Sequence, residues 1–236
     1  VSFGIGAEEF GALIGPNGAG KSTLLYALMG YLKPISGKIL LQDKELQSYR
    51  RAAMARLLAF VPQESKSDFD HSVYETVLMG RYPYLGILRA HSDADRRVVD
   101  EVLEMLNLAS LRQRWLSELS GGEKQRVYIA RALVQETPCI LLDESLSQLD
   151  INHQIEIMNL LKSISRDQHK TILIVSHNLN LAANHADKLF FLKGGSLLSS
   201  GDPAKMMQSS HLSELFGVNL QTQINPNSGR PNIIYP

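Results

Sequence analysis

The stretch Gly15-Pro16-Asn17-Gly18-Ala19-Gly20-Lys21-Ser22-Thr23 constrains this chain more than any other. It fits the pattern G-x-x-x-x-G-K-[ST], with an apolar run, Phe10 to Ile14, before it and a helical pattern, Leu24 to Met29, after it. Glycines let a short loop turn so that successive N–H groups converge on an anion, and the following helix aims its N-terminal dipole at the same point. A strand, such a turn and a helix in that order predict a triphosphate held on the loop backbone. Lys21 is expected to reach the β- and γ-phosphates, Ser22 to ligate Mg²⁺, and Thr23 to contact the α-phosphate side. A merely structural Gly-rich turn would not need that flanking strand and helix.

The same design recurs further along. Leu57-Leu58-Ala59-Phe60-Val61-Pro62 runs into Gln63, Cys139-Ile140-Leu141-Leu142 into Asp143-Glu144, and Thr171-Ile172-Leu173-Ile174-Val175 into Ser176-His177. Continuous apolar runs, rather than alternation, predict strands buried on both faces of a parallel sheet. Ligands of such sheets bind beyond the carboxyl ends of the strands. Gln63, Asp143, Glu144 and His177 are therefore expected to gather around the phosphate loop, although they lie far apart in sequence.

Composition narrows the class. The chain has 236 residues, 44% of them hydrophobic, which is ample for a buried core. Lys plus Arg and Asp plus Glu both number 24, so bulk charge argues for neither nucleic acid nor an anionic membrane surface. The single cysteine, Cys139, reads as a buried small hydrophobe, and its scarcity fits a reducing, cytosolic compartment. No apolar stretch approaches the ~20 residues of a membrane span, and Val1-Ser2-Phe3-Gly4 is no signal peptide. A start without Met, almost directly in strand-like sequence, is compatible with trimming upstream.

Val1 to Ile5 and Glu9 to Ile14 read as strands, Gly37 to Leu41 as a short strand, and Ser48 to Leu58 as a helix. From Glu64 to Leu119 the patterns are helical, at Ser72 to Met79 and at Asp93 to Asn107. In the latter, Val98, Val99, Val102, Leu103 and Leu106 form one apolar stripe, read as core packing. Tyr82 to Leu88 is a loop rich in aromatic and aliphatic residues, either a docking surface or a satellite core. After His177 come a helix to Asp187, a hairpin turning at Gly194-Gly195 and a helix from Pro203. In the tail, Leu220 to Ile224 and Asn232 to Tyr235 can pair around Asn227-Ser228-Gly229.

A second constellation is Leu119-Ser120-Gly121-Gly122-Glu123, which opens a helix. Ser120 with Glu123 is a capping box worth ~1 kcal/mol, but that does not explain two glycines where glycine weakens a helix. Bare peptide units at a helix start make a second anion site, which suggests one nucleotide held between two copies of the chain.

With these residues together, the sequence resembles the ATP-binding subunit of an ABC transporter. The phosphate loop, Gln63, Leu119 to Glu123, the strand from Cys139 to Glu144, Ser147-Gln148-Leu149-Asp150 and His177 stand in family order over most of residues 10 to 180. The fold class this implies is α/β: a P-loop NTPase core with a mainly parallel sheet, an inserted helical subdomain and a small antiparallel β subdomain. Its division would be a core of 1–63 and 119–218, a helical subdomain of 64–118 and a C-terminal tail of 219–236.

The resemblance also implies ATP and Mg²⁺ as ligands. It places Asp143 in the Mg²⁺ shell with Ser22, has Gln63 sense metal and γ-phosphate, assigns Glu144 to polarising the attacking water, and puts His177 against the γ-phosphate. Ser120, Gly121 and Gly122 would close on the ATP of an opposing subunit, with Asp150 at the seam of a homodimer. Three departures stand out. The position of the usual adenine-stacking aromatic falls before Val1, Ser145 replaces the usual Pro, and Gln148 stands where Ala is common.

Val77 to Gly86 and the tail beyond Phe216-Gly217-Val218 resemble the ATPases of importers for iron-siderophores, haem, cobalamin and related metal chelates, and no acidic exporter insert precedes Leu119. That implies separate transmembrane permease subunits, an extracytoplasmic substrate-binding protein acting indirectly, no nucleic acid, and a place on the cytoplasmic face of the membrane. The contrasting class is an ATP-driven clamp of the DNA-repair or chromosome-maintenance type. It would need long heptad arms or a basic face, and neither is visible.

Overall fold

A computed structural model describes residues 1–63, 70–85, 90–146 and 149–234. The apolar runs fold as strands: β1 (Phe10–Ile14), the short β2 (Leu40–Leu41) and β3 (Lys44–Glu45), β4 (Leu58–Val61), β5 (Cys139–Leu142) and β6 (Thr171–Val175). They are followed by β7 (Lys188–Lys193), β8 (Ser196–Gly201), β9 (Gln221–Ile224) and β10 (Pro231–Ile234). One sheet has the order β4-β5-β6-β1-β7-β8, parallel except for the β7–β8 hairpin at its edge. The pairs β2–β3 and β9–β10 are separate antiparallel ribbons.

The sheet is covered on both faces, as continuous apolar runs require. Phe10, Ala12, Ile14, Ile140, Leu142, Ile172, Ile174 and Phe191 point into one apolar layer. Leu13, Leu141, Leu173, Val175 and Phe190 point into the other. Helix α1 (Lys21–Leu28) sends Leu25 into the second layer. The chain then forms one short turn, α2 (Arg51–Met54), and beyond β4 the helices α3 (Val73–Leu78) and α4 (Asp93–Met105). The long helices α5 (Gly121–Leu133) and α6 (Ile151–Asp167), with α7 (Leu179–His185), cover the first layer. Two further helices, α8 (Pro203–Met206) and α9 (Ser209–Phe216), lead to the terminal β-ribbon.

Helices α3 and α4 start where capping chemistry dictates. Ser72 with Glu75, and Ser92 with Asp95, each close a complete capping box. On α4 the residues Val99, Val102 and Leu103, with Leu106 just past its end, are buried in the main core, so the stripe is packing surface. No helix among the described residues is long and apolar enough to cross a membrane.

Four expectations change. Val1 to Ile5 is not a strand, because both edges of β1 are already taken by β6 and β7. The segment lies over the sheet instead, with Phe3 against Phe190 at 4.9 Å between ring centroids and Ile5 packed on the same layer. The strand expected from Gly37 keeps only Leu40–Leu41, paired with Lys44–Glu45. The helix expected over Ser48 to Leu58 shrinks to α2, since Leu58 is drawn into β4 opposite Cys139. Cys139, at the first position of β5, is half-buried rather than buried, and the burial it has pushes its thiol pKa up. Gly86 to Leu88 of the aromatic loop, and Tyr235, lie outside the described residues.

Phe190 is fully buried between β1, β8 and the N-terminal segment. Phe190→Ala should therefore lower unfolding stability by about 3–5 kcal/mol, measured by urea denaturation. A loss well under that would mean the Val1–Ile5 segment collapses to fill the space.

Candidate functional site

The phosphate loop follows β1 and enters α1. Gly18 and Gly20 have φ values of 75° and 96°, the left-handed turn that glycine adopts freely, and Gly20 is the N-cap of α1 without any side-chain cap. Among the described residues, no side-chain cap is thus spent on the first N–H groups of α1, which open at the loop. Asn17 and Gly18 are exposed at the crown, Gly15 and Ala19 are buried beneath, Pro16 is half-buried, and Thr23 is exposed on the first turn of α1. Lys21 is buried, and its Nζ donates to Gly15 O at 3.0 Å and Pro16 O at 3.2 Å.

Three other strand ends meet this loop. Leu13 lies opposite Val175, Leu142 opposite Ile174, and Val61 opposite Leu142, so the residues after β4, β5 and β6 emerge at one level beside Gly15. Glu144 is where they converge. Its Oε1 lies 2.6 Å from His177 Nε2 and 3.6 Å from Lys21 Nζ, and its Oε2 accepts from Gln63 Nε2 at 3.3 Å. Its backbone has φ 38°, a left-handed conformation unusual for a residue with a Cβ. A carboxylate in strained backbone, gripped from three directions, is typical of a functional position.

Asp143 is buried beside it and accepts from Ser22 Oγ at 3.3 Å. Burial pushes its carboxyl pKa up, and the neighbouring Glu144 adds to that. The Ser22 bond, Lys21 and His177 pull the other way without cancelling it. One carboxylate next to a hydroxyl, with Gln63 near, suits a small hard cation that takes its remaining ligands from phosphate and water. Among the described residues there is no cluster of three or more His, Cys, Asp or Glu, so no all-protein metal cage competes with this arrangement.

The Ser120 turn stands apart. Ser120 caps α5 through a complete box with Glu123, and both Ser120 and Gly121 are exposed. Its described hydrogen bonds stay within the helix start and do not reach the phosphate loop. Gly122 is required by close approach, because a Cβ there would come within 2.7 Å of the His153 ring. Asp150 caps α6, accepting from His153 N at 3.0 Å and lying 2.7 Å from His153 Nδ1. The starts of α5 and α6 therefore form one surface, with Leu149 beneath Gly121. Ser147 and Gln148 lie outside the described residues.

Every sequence-predicted residue after a strand is thus at the loop, whereas Ser120, Gly121, Gly122 and Asp150 are grouped at a second place. Sequence reasoning missed the Lys21–Glu144 pair and the packing of His153 on Gly122. It also missed a buried guanidinium, Arg81, just before the aromatic loop. The Ser92-x-x-Asp95 box after that loop was the legible sign of an anchored acid nearby.

Comparison with known proteins gives a consistent picture. The family model described as "ABC transporter" matches residues 1–147. The achromobactin transport ATP-binding protein of Dickeya dadantii is 38% identical over 214 residues, 91% of this chain and 79% of that protein. The petrobactin import ATP-binding protein of Bacillus anthracis is 36% identical over 94% of this chain and 82% of its own length. A solved structure described as an inward-facing metal-chelate type ABC transporter superposes with a TM-score of 0.87 and 32% identity, covering 99% of this chain and 90% of that one.

The Asp143 environment sets a pH test. Its folded pKa is raised above the ordinary 3.8, so the neutral form favours folding and ionisation removes that stability as pH rises through the folded value. Asp143→Asn should then raise the thermal midpoint of the nucleotide-free protein at neutral pH, and the gain should vanish as pH falls to about 4. A gain of the same size at every pH would assign the effect to something other than the buried charge.

Proposed function

The chain belongs to the ABC transporter ATP-binding family, so it binds ATP and is an ATPase coupled to transport, and we propose that it powers import of a metal chelate. The import reading draws on the named function of the petrobactin relative and the likeness to a metal-chelate type transporter. The single observation that carries the catalytic reading is the hold of Lys21, His177 and Gln63 on Glu144.

In this reading the loop from Gly15 to Thr23, with Asn17, Gly18, Ala19 and Gly20 presenting backbone N–H groups, receives the phosphates at the start of α1. Lys21 exchanges its carbonyl partners for phosphate oxygens. Ser22, Asp143 and Gln63 would hold Mg²⁺, which would supply neutralising charge to the phosphates. Glu144 orients a water and accepts its proton while the water oxygen bonds to the γ-phosphorus. The bond from that phosphorus to the bridging oxygen breaks, leaving ADP and phosphate. His177 keeps the Glu144 carboxylate in place and faces the γ-phosphate. Such chemistry needs positioned charge more than covalent help.

The exposed Ser120-Gly121-Gly122 turn and Asp150 are assigned to the nucleotide of a second copy, giving a head-to-tail homodimer with two ATP at its seam. The core is residues 1–63 and 119–218, the helical unit 64–118 and the tail 219–236. Separate permease subunits dock on the helical unit near Tyr82, which is 56% exposed and stacks on His91. A binding protein outside the cell delivers the chelate, and this subunit works on the cytoplasmic face without nucleic acid.

Glu144→Gln should retain ATP binding, slow hydrolysis by roughly 10²–10⁴-fold and accumulate an ATP-bound dimer on size exclusion. Near-normal turnover would remove Glu144 from the chemistry. Ser120→Arg should keep ATP binding by the monomer while hydrolysis and ATP-dependent dimerisation fail together. Normal hydrolysis that is independent of protein concentration would reduce Ser120 to a helix cap.

A further inference from the structure

Among the described residues, a buried charge network away from the nucleotide site centres on Arg81. It sits in a 3-10 turn, Met79–Tyr84, between α3 and the start of α4, and only 6% of it is exposed. Its Nε donates to Asp95 Oδ1 at 2.9 Å. Its Nη1 donates to Val134 O at 2.6 Å and to Glu136 Oε2 at 2.5 Å. Its guanidinium lies over the Tyr84 ring, 4.1 Å from the centroid.

These partners belong to different pieces of the molecule. Asp95 closes the capping box of α4. Val134 is the C-cap of α5, so the cation sits on a carbonyl at the negative end of that helix. Tyr84 adds a second tie, donating to Gln135 O at 2.9 Å, and Gln135 Nε2 in turn donates to Leu58 O at 3.2 Å. Arg56 Nε donates to Pro83 O at 3.0 Å from the core side. One cation and one tyrosine thus join the 3-10 turn, α4, the far end of α5 and the first residue of β4.

Both α5 and β4 run from this joint to the nucleotide machinery. Helix α5 has 13 residues, about 20 Å at ~1.5 Å per residue, and its other end is the Ser120 turn. Strand β4 ends two residues before Gln63, which donates to Glu144. We infer that Arg81 is a positioning residue for ATP hydrolysis: it fixes α5 against the 3-10 turn and β4, and so sets where the Ser120 turn stands relative to Gln63 and Glu144. Stability alone does not explain an arginine here, because apolar side chains of similar volume often replace buried ion pairs without loss. What the planar fork adds is direction, holding two carboxylates and a carbonyl in one geometry. The inference rests on the functional reading above and acts on the same reaction.

Steady-state ATP hydrolysis by the full chain tests it. Arg81→Met should lower kcat by roughly 10–100-fold, the scale expected when a distant change misplaces groups by about 1 Å, with the KM for ATP little changed. Arg81→Lys should recover part of the loss, since an ammonium can pair with Asp95 but lacks the fork. If Arg81→Met does not fold, Tyr84→Phe decides, because it removes only the hydroxyl bond to Gln135. A lower kcat at constant KM in that variant supports the inference. A lowered unfolding midpoint with unchanged kcat in folded Arg81→Met or Tyr84→Phe makes the joint merely structural and overturns it. A loss expressed in KM alone overturns it too. Absence of hydrolysis in the wild-type chain would overturn the functional reading and this inference together, whereas normal wild-type turnover with unaffected variants overturns this inference alone.

Discussion

Hydrogen-bonded register brings Val61, Leu142, Ile174 and Ala12 to one level across four parallel strands. Because those strands are buried on both faces, sliding one of them by a single residue would turn its apolar side chains into the wrong layer. Packing therefore fixes the height at which each chain leaves the sheet. Gln63, Asp143, Glu144 and His177 follow directly, and none is placed by a long flexible loop. The polar ends of these strands are where the core stops being apolar, which is why these four side chains collect there.

The charges at that end do not serve stability first. Lys21 is 4% exposed at its side chain and Glu144 16%, so both lose much hydration for a pair 3.6 Å apart. Such pairs are weak grounds for stability, since desolvation offsets most of the attraction. Asp143 is held in a place that disfavours its ionised form, and Glu144 sits in left-handed backbone. Each of these costs the protein something that an anion and a cation bound together would return. Natural proteins often keep such destabilising arrangements at the sites where they act.

Much of this was legible in the chain. The phosphate loop, the three apolar runs ending in polar residues, the Ser120–Glu123 capping box and the α4 stripe each carry a local physical signal, and each appears at its expected place. What the sequence did not disclose depends on competition between segments. Val1 to Ile5 alternates like a strand, yet no edge of β1 is left for it. Leu58 could extend a helix, yet pairing with Cys139 claims it for β4. Arg81 carried no local signal of its role, because its acceptors lie 14, 53 and 55 positions away. Long-range pairing of this kind leaves no periodicity to read.

The separation of the Ser120 turn from the phosphate loop is as informative as the convergence on Glu144. A helix start with two bare peptide units is an anion site only if an anion can reach it, and the bonds described for Ser120 in one copy stay within its own cap. His153 and Asp150 brace the same surface from α6 while the turn remains exposed. A braced, exposed helix start can meet a ligand that arrives with another molecule. A phosphate carried on the loop of a second copy has the matching charge, and closing the two copies would remove water from it, strengthening every charge interaction at Glu144. Hydrolysis would then depend on closure, and closure on how far α5 holds the Ser120 turn from the core. The position of one helix becomes the quantity through which a distant contact can govern the chemistry.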